Sequence, residues 1–224
     1  MRRFPLLAAL LVLVLLILLA APFNAADAQE ATVTVEKSRI TLENFANDKN
    51  NVFFQENLKK AKGILIFPQV LKSDFFWGGA AGTGVLSVRN ENTGEWSQPV
   101  FYTISSVSFG SHMGAQTAEV VMLAMNKKAV DMLYASSVKL GGDMSVIVGP
   151  YGTDFNKHVI ADFFSFAMSR GLYAGLDLQG SGLAVRDDLN KAYYGKEMRP
   201  VDIIVQKEVS DQTTPQFLDV LRTR

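Results

Sequence analysis

Along this chain the hydrophobic positions first repeat with a helical period and then with a strand period. An unbroken apolar run, Leu6–Ala21, comes first, behind Arg2 and Arg3. From Gln29 to Ala61 the pattern is helical: Val35, Leu42, Phe45 and Ala46 share one face. A second helix follows, with Phe54, Leu58 and Ala61 as its inner stripe and Asn50 placed to cap it. Then the period shortens. Ile64–Phe67 is a β-rich apolar run of the length of a buried strand, and Pro68, which cannot donate to a sheet ladder, marks its end. Val85, Leu86 and Val88 resume a strand, and Asn90–Gly94 reads as a turn before Trp96. Pro99–Ser108 is rich in β-branched and aromatic residues up to Gly110, and the apolar run Glu119–Met125 suits a central strand. Asn126 is placed to cap a helix over Lys127–Tyr134, whose Val130, Leu133 and Tyr134 make one face. Beyond a break at Gly141-Gly142, the stretches Met144–Val148, Ala161–Met168 and Leu172–Leu178 read as strands. Asp187–Tyr194 reads as a short helix stopped by Gly195, and Ile203–Gln206 as a last strand. Thr214-Pro215 caps and opens a helix over Gln216–Leu221.

The stretch Lys62–Arg89 organises the rest. It joins the first strand to the aromatic triplet Phe75-Phe76-Trp77 and then to Gly78, Gly79, Gly82 and Gly84. Glycines this dense imply a bent backbone or the close approach of another one. The segment Gly82–Asn90 resembles Gly180–Asp187, with a one-residue slip between the glycines and the Val-Arg pairs, and Gly175 echoes Gly79. Two glycine-kinked halves would build a curved sheet with an internal pseudo-repeat; chance likeness of two strand-turn segments explains the match about as well.

The N-terminal run changes the picture of where the chain acts. Its positive start, apolar core and small-x-small pattern Ala26-Asp27-Ala28 predict an export signal over residues 1–28, cleaved after Ala28. The mature protein is then a single domain, 29–224, periplasmic or secreted, with an N-terminal helical segment at 29–61. The other reading is an uncleaved membrane anchor, for which the run is slightly short of the ~20 residues that span a bilayer. There is no cysteine, so neither a lipoprotein anchor nor disulfides are in play. The absence of an Asn-x-Ser/Thr sequon also fits a bacterial exported protein. Zero net charge argues against a nucleic-acid partner.

Candidate chemistry is sparse. His112 and His158 lack the spacing of a metal motif, and no cysteine can complete one. The Gly-x-Gly pairs at Gly82–Gly84 and Gly180–Gly182 do not extend to a phosphate-binding fingerprint, and no Gly-x-Ser-x-Gly elbow occurs. Gly141-Gly142-Asp143 reads as a strand turn or as a small anion or metal loop. Asp187-Asp188 suits a helix N-terminus. Asp143, Asp162 and Asp187 form no recognisable catalytic set, so no catalytic residue, metal or cofactor is assigned and an enzyme is not expected. Two features remain. Lys59, Lys60 and Lys62 cluster at the end of the second helix, as complements to its dipole or as a basic patch with Lys72. Phe75, Phe76 and Trp77 cannot all face one side of a strand, so at least one points outward to another element, a ligand or a membrane interface.

Ordered motifs tie these features to a family. The run AKGILIFP…K…FFWGGAAGTGVLSVR is followed by Gly94-x-Trp96-Ser97-x-Pro99-x-Phe101 and by Val120–Asn126 ending VMLAMN. Then come Leu140-Gly141-Gly142-Asp143-x-Ser145, Gly149-Pro150, Ser169–Gly175, Gly180-Ser181, Arg186-Asp187 and Asn190-x-x-Tyr193-Tyr194-Gly195. Together they resemble the SYLF domain over roughly Phe45 to Ile204. The resemblance implies an α+β fold with helices packed on a curved, mostly antiparallel sheet. It implies a non-enzymatic module that binds phospholipid or a membrane surface, with actin binding in the yeast branch. On that reading Lys59, Lys60, Lys62, Lys72, Phe75, Phe76 and Trp77 are the lipid-binding candidates. Gly78, Gly79, Gly82, Gly84, Gly141, Gly142, Gly175 and Gly180 are structural. Two departures qualify what carries over: export removes the chain from cytosolic actin and phosphoinositides, so neither is an expected partner, and Gln29–Asp48 is not basic, since Lys37 and Arg39 are offset by Glu30, Glu36, Glu43 and Asp48. The alternative is a structural or protein-interaction domain with a partner in the envelope.

Overall fold

The structure, a computed structural model of the chain, describes residues 22–73, 78–108, 115–149, 160–169, 172–173, 178–209 and 215–222. Helix α1 (Pro22–Asn47) and helix α2 (Val52–Leu58) account for the first helical pattern, and Val35, Leu42, Phe45, Ala46, Phe54, Leu58 and Ala61 are all buried. The cap of α2 is Asn51 rather than Asn50; its side chain accepts from the Phe54 N–H at 3.3 Å, while Asn50 is held in the preceding turn by Asp48.

Strands β1 (Gly63–Ser73), β2 (Gly78–Val88), β3 (Val100–Ser108) and β4 (Ala115–Ala124) form the middle of the sheet. Helix α3 (Lys127–Met132) follows, capped by Asn126, whose side chain accepts from the Ala129 N–H at 2.8 Å. Short strands β5 (Ser137–Lys139) and β6 (Val146–Val148) come next, then β7 (Phe163–Ser169), β8 (Leu172–Tyr173) and β9 (Gly182–Val185). Helices α4 (Asp187–Tyr194), α5 (Pro200–Ile204) and α6 (Pro215–Arg222) complete the chain. The strand order is β5-β9-β3-β2-β1-β4-β7-β6, with β8 paired to β7, and every pairing except β6 with β7 is antiparallel.

The sheet is curled until its edges nearly meet. Edge strand β5 pairs with β9, edge strand β6 with β7, and a bridge between Leu140 and Met144 lies in the tight turn joining the two edges. Residues from both edges therefore share one interior cluster: Val138 and Leu183 from one side, Val146 and Phe163 from the other, around Leu65, Phe67, Leu86 and Met122. The alternate positions of the same strands face outward under α1, α2, α4 and α6. There Ile64, Ile66, Val85, Phe101 and Phe166 pack with Leu42, Phe54, Leu189 and Phe217. Phe54 meets Phe166 edge-on at 5.0 Å, and Phe53 meets Phe164 at 4.9 Å.

Two expectations need correction. Pro68 does not end the first strand. It occupies a β-bulge, where one extra residue of β1 sits opposite both neighbours, so its missing N–H costs no ladder bond and β1 continues to Ser73. The bulge also explains the glycines opposite: a Cβ on Gly84 would lie 2.2 Å from the Ile66 carbonyl oxygen, and one on Gly82 would lie 2.5 Å from that of Gln69. Second, residues 203–206 are not a strand. Ile203 and Ile204 are the inner face of α5, which Pro200 opens and which Asp202 caps by accepting from the Arg199 N–H at 3.0 Å. The glycine segments of the suspected repeat both flank β3. Gly82 and Gly84 lie inside β2; of their counterparts, Gly182 opens β9 and Gly180 is a turn residue at φ +82° with open space around it. Most other described boundaries hold to within a few residues, but α1 begins at Pro22 rather than at 29, β5 lies where no strand was expected, and the strand expected over 172–178 falls mostly outside the described residues. Helix α4 is stopped by Gly195 at φ +72° as expected.

Candidate functional site

The lysines grouped by sequence are separated by the fold. Lys59 and Lys60 are exposed at the end of α2, and half-buried Lys62 leads into β1, ion-paired with Glu91 at 2.6 Å. Lys72 sits on β1 opposite Ala80 and Gln116, ten residues further along, or roughly 30 Å at the rise of a strand. Phe75, Phe76 and Trp77, which follow it, lie outside the described residues, as does Gly175. The candidate site thus divides between the two ends of β1. Gly141, at φ +78°, and Gly142 turn the chain between the sheet edges, which accounts for that loop structurally.

At the Lys72 end, the first half of α1 crosses the outer face of β1 and β2 and leaves a groove of about 410 Å³ lined by Glu30, Val33, Lys37, Leu71, Ala81 and Thr83. Two of its apolar side chains remain open to solvent, Val33 at 42% and Leu71 at 55%. The buried residues of this half-helix are small or polar (Ala31, Thr34, Ser38) apart from Val35, so it sits close on the glycine-rich strand. Arg186 ties the layers together: Nη1 donates to Thr83 Oγ1 at 3.2 Å and lies 3.5 Å from Glu30, while Nε and Nη2 reach Asp188. That bond holds the Asp188 carboxyl below its ordinary range.

At the other end Arg89 closes β2 and Trp96 faces it across a β-bridge. The guanidinium lies 4.6 Å over the indole, and Nη1 donates to the Lys59 carbonyl at 2.7 Å. Nε is buried without an acceptor, and burial pushes the group's pKa down. A pocket of about 240 Å³ opens here, with Ser97, Tyr134 and Lys207 among its walls. Glu91 and Glu95 also line it, but each meets a lysine, Lys62 at 2.6 Å and Lys207 at 3.4 Å. Sequence reasoning missed Arg89 as a site residue. The available signal was an arginine ending a strand across a short turn from a tryptophan.

The unassigned acids have structural work. Asp162 accepts from Asn126 Nδ2, from the Ser145 N–H and from Ser145 Oγ, each at 2.9 Å, with Lys128 at 3.4 Å. Burial alone would raise its carboxyl, but these donors together outweigh burial and hold it at about 2. Asp187 and Asp188 occupy the first turn of α4. Among the described residues no three His, Asp or Glu side chains gather as a metal site, and His112 and His158 lie outside them.

These features define an α+β domain with surface grooves at the two ends of a central strand. Comparison with known proteins gives the family. A family model described as Ysc84, Las17-binding protein actin regulator, matches residues 105–224. SH3 domain-containing YSC84-like protein 1 of Homo sapiens is 32% identical over 152 residues, covering 66% of this chain and 44% of its own length. Protein YSC84 of Saccharomyces cerevisiae is 32% identical over 174 residues, covering 75% of this chain and 37% of its own. The chain belongs to the Ysc84, or SYLF, family, and it spans less than half the length of these relatives. The family description is that of a binding protein and regulator.

Proposed function

We propose that this chain is a non-enzymatic lipid- or membrane-binding module of the bacterial cell envelope, exported with cleavage after Ala28. The observation that carries the reading is the exposed pair Val33 and Leu71 beside Lys37 at one end of β1. In sequence this end continues into Lys72, Phe75, Phe76 and Trp77. Apolar and aromatic side chains with interspersed lysines are what an interfacial surface requires: the rings and stems enter the head-group region while the ammonium groups stay wet. Cleavage after Ala28 would leave the docking of α1 intact, because the contacts of Glu30, Ala31 and Val35 lie beyond that point.

The test is co-flotation of the purified protein with liposomes of envelope-like composition, beside Trp77→Ala. Binding lost by the variant supports the reading; a folded wild-type protein that floats with neither anionic nor neutral vesicles refutes it. A second reading, a protein-interaction domain, is favoured by the family description, which names a protein partner. Cross-linking that captures an envelope protein, with no flotation, would favour it. Actin is not the expected partner of an exported chain.

A further inference from the structure

We infer that the pocket between Arg89 and Trp96 is a binding site for a phosphate-sized oxyanion. A half-buried guanidinium ordinarily meets a carboxylate, because desolvating an unpaired cation is costly. Arg89 instead meets a backbone carbonyl and the face of Trp96, and Nε is a buried donor without an acceptor. The carboxylates that line the pocket do not serve it: Glu91 is paired to Lys62 and Glu95 to Lys207. Among the described residues no ion pair involves Lys59 or Lys60, which stand exposed at the end of α2, and the backbone carbonyl of Lys59 accepts from Arg89. A guanidinium without a carboxylate at the wall, with Glu91 and Glu95 each held by a lysine, makes a seat for one tetrahedral anion. A volume of about 240 Å³ suits a phosphate or the phosphate end of a small molecule.

The position of the pocket bears on the source of that anion. It lies at the opposite end of β1 from Val33, Leu71 and Lys72, roughly 30 Å away at the rise of a strand. A domain standing on a bilayer by that far end would hold the pocket in solution. The site is therefore argued independently of the membrane reading, and only the source of the phosphate, soluble or lipid-borne, depends on how the domain sits.

The test is a titration of the isotope-labelled protein with inorganic phosphate at constant ionic strength, following the Trp96 indole N–H signal identified by its loss in Trp96→Phe. A saturable shift that is about tenfold or more weaker in folded Arg89→Gln supports the site, in line with the loss of a charge-assisted fork. Absence of a saturable shift, or the same affinity in Arg89→Gln, overturns it. Should Arg89→Gln not fold, Lys207→Gln, which removes the other cation lining the pocket, takes its place: a several-fold weaker affinity supports the site and an unchanged one overturns it. Parallel flotation with phosphatidylglycerol and phosphatidylcholine vesicles separates the sources. Anionic-vesicle binding that falls with Arg89→Gln assigns the phosphate to a lipid, and a phosphate shift with flotation unaffected assigns it to a soluble ligand. Loss of all flotation refutes the membrane reading and leaves the pocket standing; loss of the phosphate shift does the reverse.

Discussion

Asp162→Asn isolates how much stability one carboxylate brings to the seam where the sheet curls closed. Asp162 precedes β7, and its donors come from Ser145, just before β6, and from Asn126, the cap of α3. The carboxyl is held at about 2 against an ordinary 3.8. At about 1.4 kcal/mol per pH unit, that difference corresponds to roughly 2.5 kcal/mol. Because the folded pKa is depressed, the contribution is whole above the unfolded value, and it drains away as pH falls through the folded one. About half of it remains at pH 3 and little at pH 2, by the same linkage. The assay is urea unfolding of wild type and Asp162→Asn at several pH values. With a slope of roughly 2–3 kcal/mol per molar urea, the midpoint of the variant should lie about 1 M lower at neutral pH. The gap should close between pH 4 and pH 2. A gap that stays constant across that window, or none at neutral pH, would refute the electrostatic account.

Gly84→Ala should cost about 3 kcal/mol or more, because its Cβ would fall 2.2 Å from the Ile66 carbonyl oxygen inside the sheet. Gly94→Ala, in open space but at φ +75°, should cost only about 1 kcal/mol, so thermal melts that rank the two equally would contradict the bulge argument. Asn190→Ala should lose about 1–3 kcal/mol, since the Asn190 side chain accepts from the Phe101 N–H at 3.0 Å in a buried site; exchange of that amide should accelerate. Arg39→Ala should change stability by less than about 1 kcal/mol despite contacts of 2.7 Å to Glu36 and 2.6 Å to Glu43, because these pairs lie on the open face of α1; chemical denaturation checks it.

The sequence by itself determined what is local. Helical spacing picked out the buried face of α1, asparagine capping located α3, and Gly195 marked the stop of α4, because caps, turns and periodic burial act within a few residues. It also supplied enough ordered motifs to name the family. It misjudged Pro68 and the stretch 203–206. The first depended on a bulge defined only by two partner strands, the second on a short helix whose hydrophobic run has strand-like content. Only the tertiary structure decided the relations between distant positions. It set Lys72 a strand's length from Lys59, pressed the bulge of β1 onto Gly82 and Gly84, and joined the sheet edges at Leu140 and Met144. It also brought Arg89 onto Trp96 with no carboxylate for its charge. Strand pairing and desolvation act between residues remote in sequence, and no spacing along the chain records them.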